Sequence, residues 1–95
     1  MYYFVYILAT GRNGTFYVGV TNDLLRRIWE HKNDLAKGFT KKYGIHQLVY
    51  YEPHTSIEAA IIREKSIKRW TRAMKMEAIK RMNPEWEDLY HAIAQ

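Results

Sequence analysis

The sequence predicts an α+β fold, a three-stranded antiparallel-type sheet in ββαβαα order flanked by helices. Three observations predict it. Two aromatic and β-branched runs, residues 2–8 and 16–20, are separated by a turn carrying Gly11 and Asn13-Gly14, so the chain opens as a hairpin. A third such run, residues 47–52, stops at Pro53. Between and after these runs, apolar residues recur at helical spacing behind capping residues.

Taken in order, the first strand is aromatic and β-branched and has no breaker. In the second, Val18 and Val20 are flanked by Phe16 and Tyr17, which suits a half-buried strand. Gly19 has no side chain and lets another group approach the backbone closely. Asn22 fits an N-cap, and Asp23 suits the positive end of the following helix, which runs to about Asn33 or Leu35 with Leu24, Leu25 and Ile28 as its apolar stripe. Gly38 and Gly44 bracket a basic loop or single turn, residues 39–43. Thr55 and Glu58 form a capping box before a helix from Ser56 to about Trp70. Thr71 caps a helix over residues 72–82, which Asn83-Pro84 ends. Pro84 then opens a last short helix through Trp86, Leu89, Tyr90 and Ile93.

Ninety-five residues, 47% of them apolar, suffice for one core, so residues 1–95 read as a single domain. No stretch approaches the length of a membrane span, and the basic start of a signal peptide is missing. The chain has no cysteine, hence no disulfide frame and no thiolate metal site; a cytoplasmic location is the expectation. The net charge is +5, and it is concentrated. From Arg63 to Arg81 there are eight basic residues against Glu64 and Glu77, and the tail beyond is acidic. Such a stretch is either a solvated helix face or the footprint of a phosphate-backbone partner.

Two features can carry chemistry. Arg27 and His31 are four apart, so they stand one turn above each other on the first helix and can share a cleft with Tyr17. On the next long helix, Ile57, Ala60, Ile61, Glu64, Ile67 and Lys68 fall on one face, so Glu64 interrupts an apolar stripe. A carboxylate there needs a partner. A salt bridge to a neighbouring Arg or Lys is one reading. A hard-cation site is the other, since Mg²⁺ commonly takes only one or two protein carboxylates. Tyr6 and Tyr17 read equally well as packing aromatics, and Arg27 could simply pair with Asp23, Glu30 or Asp34. His46, His54 and His91 share no metal-ligand spacing.

Together these residues resemble the GIY-YIG nuclease superfamily. Phe4-Val5-Tyr6 stands as the first motif and Tyr17-Val18-Gly19 as the second, with ten residues between Tyr6 and Tyr17. Arg27 with His31, then Glu64 within residues 60–68, follow in the family order. The resemblance is nearest to small, stand-alone single-domain bacterial members. Phe4-Val5 replaces the Gly-Ile of the motif but serves the strand, and Tyr6 is kept. The resemblance implies a metal-dependent endonuclease that hydrolyses DNA with little sequence preference. Glu64 would hold one Mg²⁺ or Mn²⁺, Arg27 would grip the phosphate, and Tyr17 or Tyr6 would take the proton of water. His31 would supply charge, orient a tyrosine or relay the proton. Gly19 and Asn83 would be accessory. Lys41, Lys42, Lys65, Lys68, Arg69 and Arg72 would hold the nucleic-acid backbone, contacts that carry no sequence information. Two other readings compete: a non-catalytic nucleic-acid-binding module that keeps the fold, and a protein-interaction domain presenting Trp70, Trp86 and Tyr90.

Overall fold

The computed structural model describes residues 1–12, 14–35 and 38–94. Strand β1 (Tyr3–Ala9) lies between β2 (Phe16–Thr21) and β3 (Gln47–His54), antiparallel to both, giving the sheet order β2-β1-β3. The hairpin closes through the Thr10 N–H donating to Thr15 O (3.2 Å) and the Gly14 N–H donating to Gly11 O (3.1 Å). Asn13, expected in that turn, lies outside the described residues. β1 reads as a continuous apolar run rather than an alternating one because it is covered on both faces: Val5 to Ala9 are all buried.

Helix α1 (Leu24–Lys32), the one-turn α2 (Phe39–Tyr43) and the short α5 (Tyr90–Ile93) sit by one face of the sheet. Tyr6, Leu8 and Leu48 meet Leu24, Ile28 and Ile45 there. Helices α3 (Ile57–Arg69) and α4 (Arg72–Met82) cover the other face, where Val5, Ile7, Val18 and Val49 pack on Ala60, Ile67 and Ile79. A bulge connects the two layers. Ile7 pairs with Tyr50 but Leu8 pairs with Leu48, so Val49 is the extra residue of β3. Without it Val49 and Tyr50 would point to opposite faces; with it both join the α3–α4 side while Leu48 and Tyr51 serve the α1 side.

The structure shifts several boundaries. β3 continues through Pro53, which pairs with Phe4. β3 is an edge strand, where proline's missing N–H costs no ladder bond. Asp23, not Asn22, caps α1, its carboxylate accepting from the Arg26 N–H at 3.2 Å. Ser56, not Thr55, caps α3 and accepts from the Ala59 N–H. Thr71 caps α4 as expected. The last helix begins only at Tyr90, not at Pro84.

The segment before it closes the outer edge of β3. Asn83 Nδ2 donates to Val49 O (3.2 Å), the Leu48 N–H donates to Asp88 Oδ1 (3.2 Å), and the Leu89 N–H donates to Leu48 O (2.8 Å). An edge whose polar groups are occupied in this way is a poor template for a foreign strand.

Candidate active site

Register builds the site first. Tyr6 of β1 faces Gly19 of β2, so both point to the α1 side. A Cβ on Gly19 would lie 2.4 Å from the Tyr6 hydroxyl oxygen, so the bare backbone is what gives the phenol head its room. Tyr17, two residues earlier in β2, lands on the same face. Leu24 and Ile28 anchor α1 across this surface, which directs Arg27 and His31 to the tyrosines.

His31 Nε2 lies 3.1 Å from Tyr6 Oη, and the Tyr6 and Tyr17 ring centroids are 5.9 Å and 5.6 Å from the imidazole. The two tyrosine rings are 6.3 Å apart. The Arg27 guanidinium hydrogen-bonds the Tyr6 hydroxyl and, through Nη1, Glu30 at 3.2 Å. Four residues from two strands and one helix thus form one cluster. Tyr6 and His31 lie beneath, 1% and 2% exposed, while Tyr17 is half-buried and the Arg27 side chain is 38% exposed.

One member of the network escaped the sequence reading. Thr40 of α2 is buried, and its Oγ1 lies 2.9 Å from His31 Nδ1. Both ring nitrogens are therefore occupied by hydroxyls, each of which can donate or accept, so a neutral imidazole is satisfied in either tautomer. The only sequence signal was a short β-branched residue within a basic turn.

Electrostatics revise one expectation. Burial, then the Arg27 charge, push the His31 pKa down to about 4. His31 is neutral near pH 7 and cannot supply positive charge to a tyrosine. Burial pushes the Tyr6 pKa up to about 12, opposed by its Arg27 hydrogen bond. The resting Tyr6 keeps its proton.

This yields a stability prediction. Unfolded His31 titrates near 6.5 and the folded residue near 4, so between those values only the unfolded chain binds the proton. The contribution is complete above about pH 6.5 and is lost as pH falls towards 4. By about pH 5 the loss amounts to about 2 kcal/mol. Urea unfolding at about pH 7 and about pH 5 should show His31→Gln losing less stability than wild type by this amount; equal losses would assign the acid sensitivity elsewhere.

Glu64 takes its place in the sheet-facing stripe of α3, between Ala60 and Ile67, with its side chain only 12% exposed. Its Oε2 pairs with Lys68 Nζ at 2.7 Å rather than with a member of the cluster. α3 packs on the face opposite Tyr6, so Glu64 and the tyrosines belong to different layers of the sheet. The layers approach each other at the open end of β2, where a crevice of about 380 Å³ is lined by Arg27 of α1, Val20 and Thr21 of β2, and Ile57 of α3.

Among the described residues no group of three or more His, Cys, Asp or Glu could hold a metal ion. A single carboxylate still fits a cation that shares its shell with water and a substrate phosphate. Lys68 is a weak competitor: its side chain is 52% exposed, and i,i+4 pairs of this kind are worth about 0.3–0.5 kcal/mol.

The expected accessory and backbone-binding residues divide. Lys41 and Lys42 are exposed on α2, next to Thr40, and Lys65, Lys68 and Arg69 are exposed on α3. Arg72 is committed to the fold: its guanidinium lies 4.2 Å from the Phe16 ring centre and donates to Gly14 O. Asn83 is likewise structural. Its Nδ2 donates to Val49 O and Glu87 O, and its Oδ1 accepts from the Glu87 N–H, so no polar atom is left for a ligand. Nor do Trp70, Trp86 and Tyr90 form one exposed patch: each is half-buried, with Arg63, Phe16 and Lys32 respectively against part of its ring.

An antiparallel β2-β1-β3 sheet carrying this Tyr–Tyr–Arg–His cluster defines a protein with a nuclease-type fold. The chain belongs to the GIY-YIG family, whose model, described as the GIY-YIG catalytic domain, matches residues 2–77. It is 35% identical over 77 residues to a UPF0213 protein of Staphylococcus epidermidis, covering 81% of this chain and 93% of the relative. A UPF0213 protein of Clostridium perfringens is 37% identical over 76 residues, 80% of this chain and 81% of the relative. The solution NMR structure of a UPF0213 protein from Bacillus halodurans has a similar fold, with a TM-score of 0.57 at 30% identity over 93% of each chain. No helix of the described residues is long and apolar enough to cross a membrane.

Proposed function

We propose that this protein is a metal-dependent endonuclease that hydrolyses phosphodiester bonds in DNA with little intrinsic sequence preference. The observation that carries this reading is the convergence of Tyr6, Tyr17, Arg27 and His31, with Arg27 reaching a crevice shared by α1, β2 and α3. The planar fork of Arg27 grips two phosphate oxygens and neutralises charge that develops on them. Glu64 would hold the Mg²⁺ or Mn²⁺, and the chemistry a bound cation supplies is charge neutralisation at the phosphate.

To take a proton from water, a tyrosine Oη must first lose its own. Arg27 pulls Tyr6 in that direction and burial opposes it; a bound cation would add positive charge that favours the phenolate. His31 Nε2, 3.1 Å behind Tyr6 Oη, orients that hydroxyl; burial makes the imidazole too weak a base to hold the phenol proton. Tyr17, half-buried where Tyr6 is fully buried, is the phenol nearer to solvent. Exposed lysines on α2 and α3 hold the backbone without reading bases.

The test is nicking of a mixed panel of duplex, branched and single-stranded DNA with Mg²⁺ or Mn²⁺. Wild type is expected to cut, and Glu64→Ala and Tyr17→Phe are expected not to. Identical trace activity in all three would remove the proposal. The Glu64–Lys68 pair favours one alternative, a non-catalytic nucleic-acid-binding module. In that case binding is salt-sensitive and indifferent to Glu64→Ala, and no cleavage occurs.

A further inference from the structure

We propose that the surface around Trp70, at the junction of α3 and α4, is a stacking site for an unpaired nucleotide. The inference rests on the nucleic-acid reading above and names the part of the substrate that reading leaves open. Trp70 and Met74 separate two depressions. One, of about 510 Å³, lies towards β3 with Tyr50 on its wall. The other, of about 470 Å³, lies on the outer side of the helix junction and is bordered by Lys65 and Arg69.

The wall between them pairs an indole with a guanidinium. The Arg63 guanidinium lies 4.9 Å from the indole ring centre. It is anchored by Glu52, which accepts from Arg63 Nε at 3.0 Å and 3.2 Å. The same carboxylate neutralises it, so Arg63 contributes shape rather than free charge. Unspent charge lies at the rims. Lys65 and Arg69 are exposed and have no ion-pair partner among the described residues. Among the described residues Arg81 is paired only with Glu77, at 3.6 Å, and both side chains are largely in solvent, where such a pair contributes little.

An aromatic wall with a charge-neutralised guanidinium beside it and a cationic rim matches the chemistry of one nucleotide, a planar ring joined to a phosphate. Base-on-aromatic stacking of this kind is indifferent to base identity. A base inside a duplex is already stacked on both sides and cannot enter. The occupant is therefore an unpaired nucleotide in a strand, tail or distorted segment. Glu64, Lys65, Arg69 and Trp70 follow one another along and just beyond α3, so a strand seated here lies along the helix that carries the candidate metal ligand.

The experiment is a titration of isotope-labelled full-length protein with a single-stranded oligothymidylate of about eight nucleotides, and separately with a blunt duplex, reading the indole N–H resonances. The Trp70 resonance is expected to move with the single strand while that of Trp29, on α1, stays. Met74→Glu adds a negative charge at a half-exposed position of the wall and leaves the core alone. It should weaken single-strand binding about tenfold or more and duplex binding by less than about twofold, the stacking contribution being of that size. An oligouridylate arm identifies whether a ribose strand is held equally, which supports the same site for either sugar. An unmoved Trp70 at saturation, or unchanged binding by Met74→Glu, overturns the groove while leaving cleavage standing. A shifted Trp70 in a protein that cuts nothing keeps the groove and removes hydrolysis.

Discussion

Arg27→Ala is expected to lower the cleavage rate ~10³-fold with little change in stability. The side chain is partly exposed and contributes no apolar core contact, so its removal leaves Leu24 and Ile28 packed and α1 in place. Glu30 keeps its pairing with Arg26. What disappears is, among the described residues, the only cation that touches both the Tyr6 hydroxyl and the surface crevice. Arg27→Lys should recover little, about tenfold at most, because an ammonium has no planar fork and cannot bond Glu30, Tyr6 and a phosphate at fixed angles. A second readout separates this role from a structural one. The Arg27 charge is the second cause of the low His31 pKa, so Arg27→Ala should move the His31 titration upward. Nicking rates and an NMR titration of the imidazole check both. A rate within about threefold of wild type would mean that phosphate charge is met elsewhere.

The strands and long helices were legible because their signals are local. The apolar run of β1 and the Thr71 cap of α4 needed no knowledge of the rest of the chain. The caps expected at Asn22 and Thr55, and found at Asp23 and Ser56, shift for one cause. Two adjacent residues can both cap, and only the backbone angles of the finished turn choose between them. Pro53 stops a strand in sequence logic, yet here it lies at a sheet edge, and edge position is a property of topology.

The site was legible where spacing along one element sufficed. Arg27 and His31 could be put on one face from their separation alone. Thr40 could not, because its value depends on α2 folding against a residue nine positions away. The environment of Glu64 also needed the fold. Its place in the stripe follows from periodicity. That its stripe lies on the layer opposite the tyrosines follows only from which side of the sheet α3 covers. The same limit explains Arg72 and Asn83. Both sit where charge or polarity suggests a ligand, and both are consumed by backbone groups distant in sequence, Gly14 and Val49.

Gly19→Val tests whether the cluster depends on a bare backbone. A Cβ at this position would sit 2.4 Å from Tyr6 Oη and 2.5 Å from Cζ, closer than any side chain tolerates. Relief requires movement of the phenol head, which is fully buried and held by His31 and Arg27, or of β2 itself. Valine is otherwise a better strand former than glycine, so backbone propensity favours the variant by a few tenths of a kcal/mol. The steric term decides the outcome. Overpacking at a rigid site costs about 3 kcal/mol, and the net effect is destabilising by most of that. Tyr6→Phe in the same background removes the hydroxyl, the closest atom in the clash, and should restore part of the lost stability without restoring cleavage. Chemical unfolding of the two single variants and the double variant measures the coupling. If the two effects simply add, the phenol head and the residue 19 backbone are not in contact, and the cluster does not depend on glycine at that position.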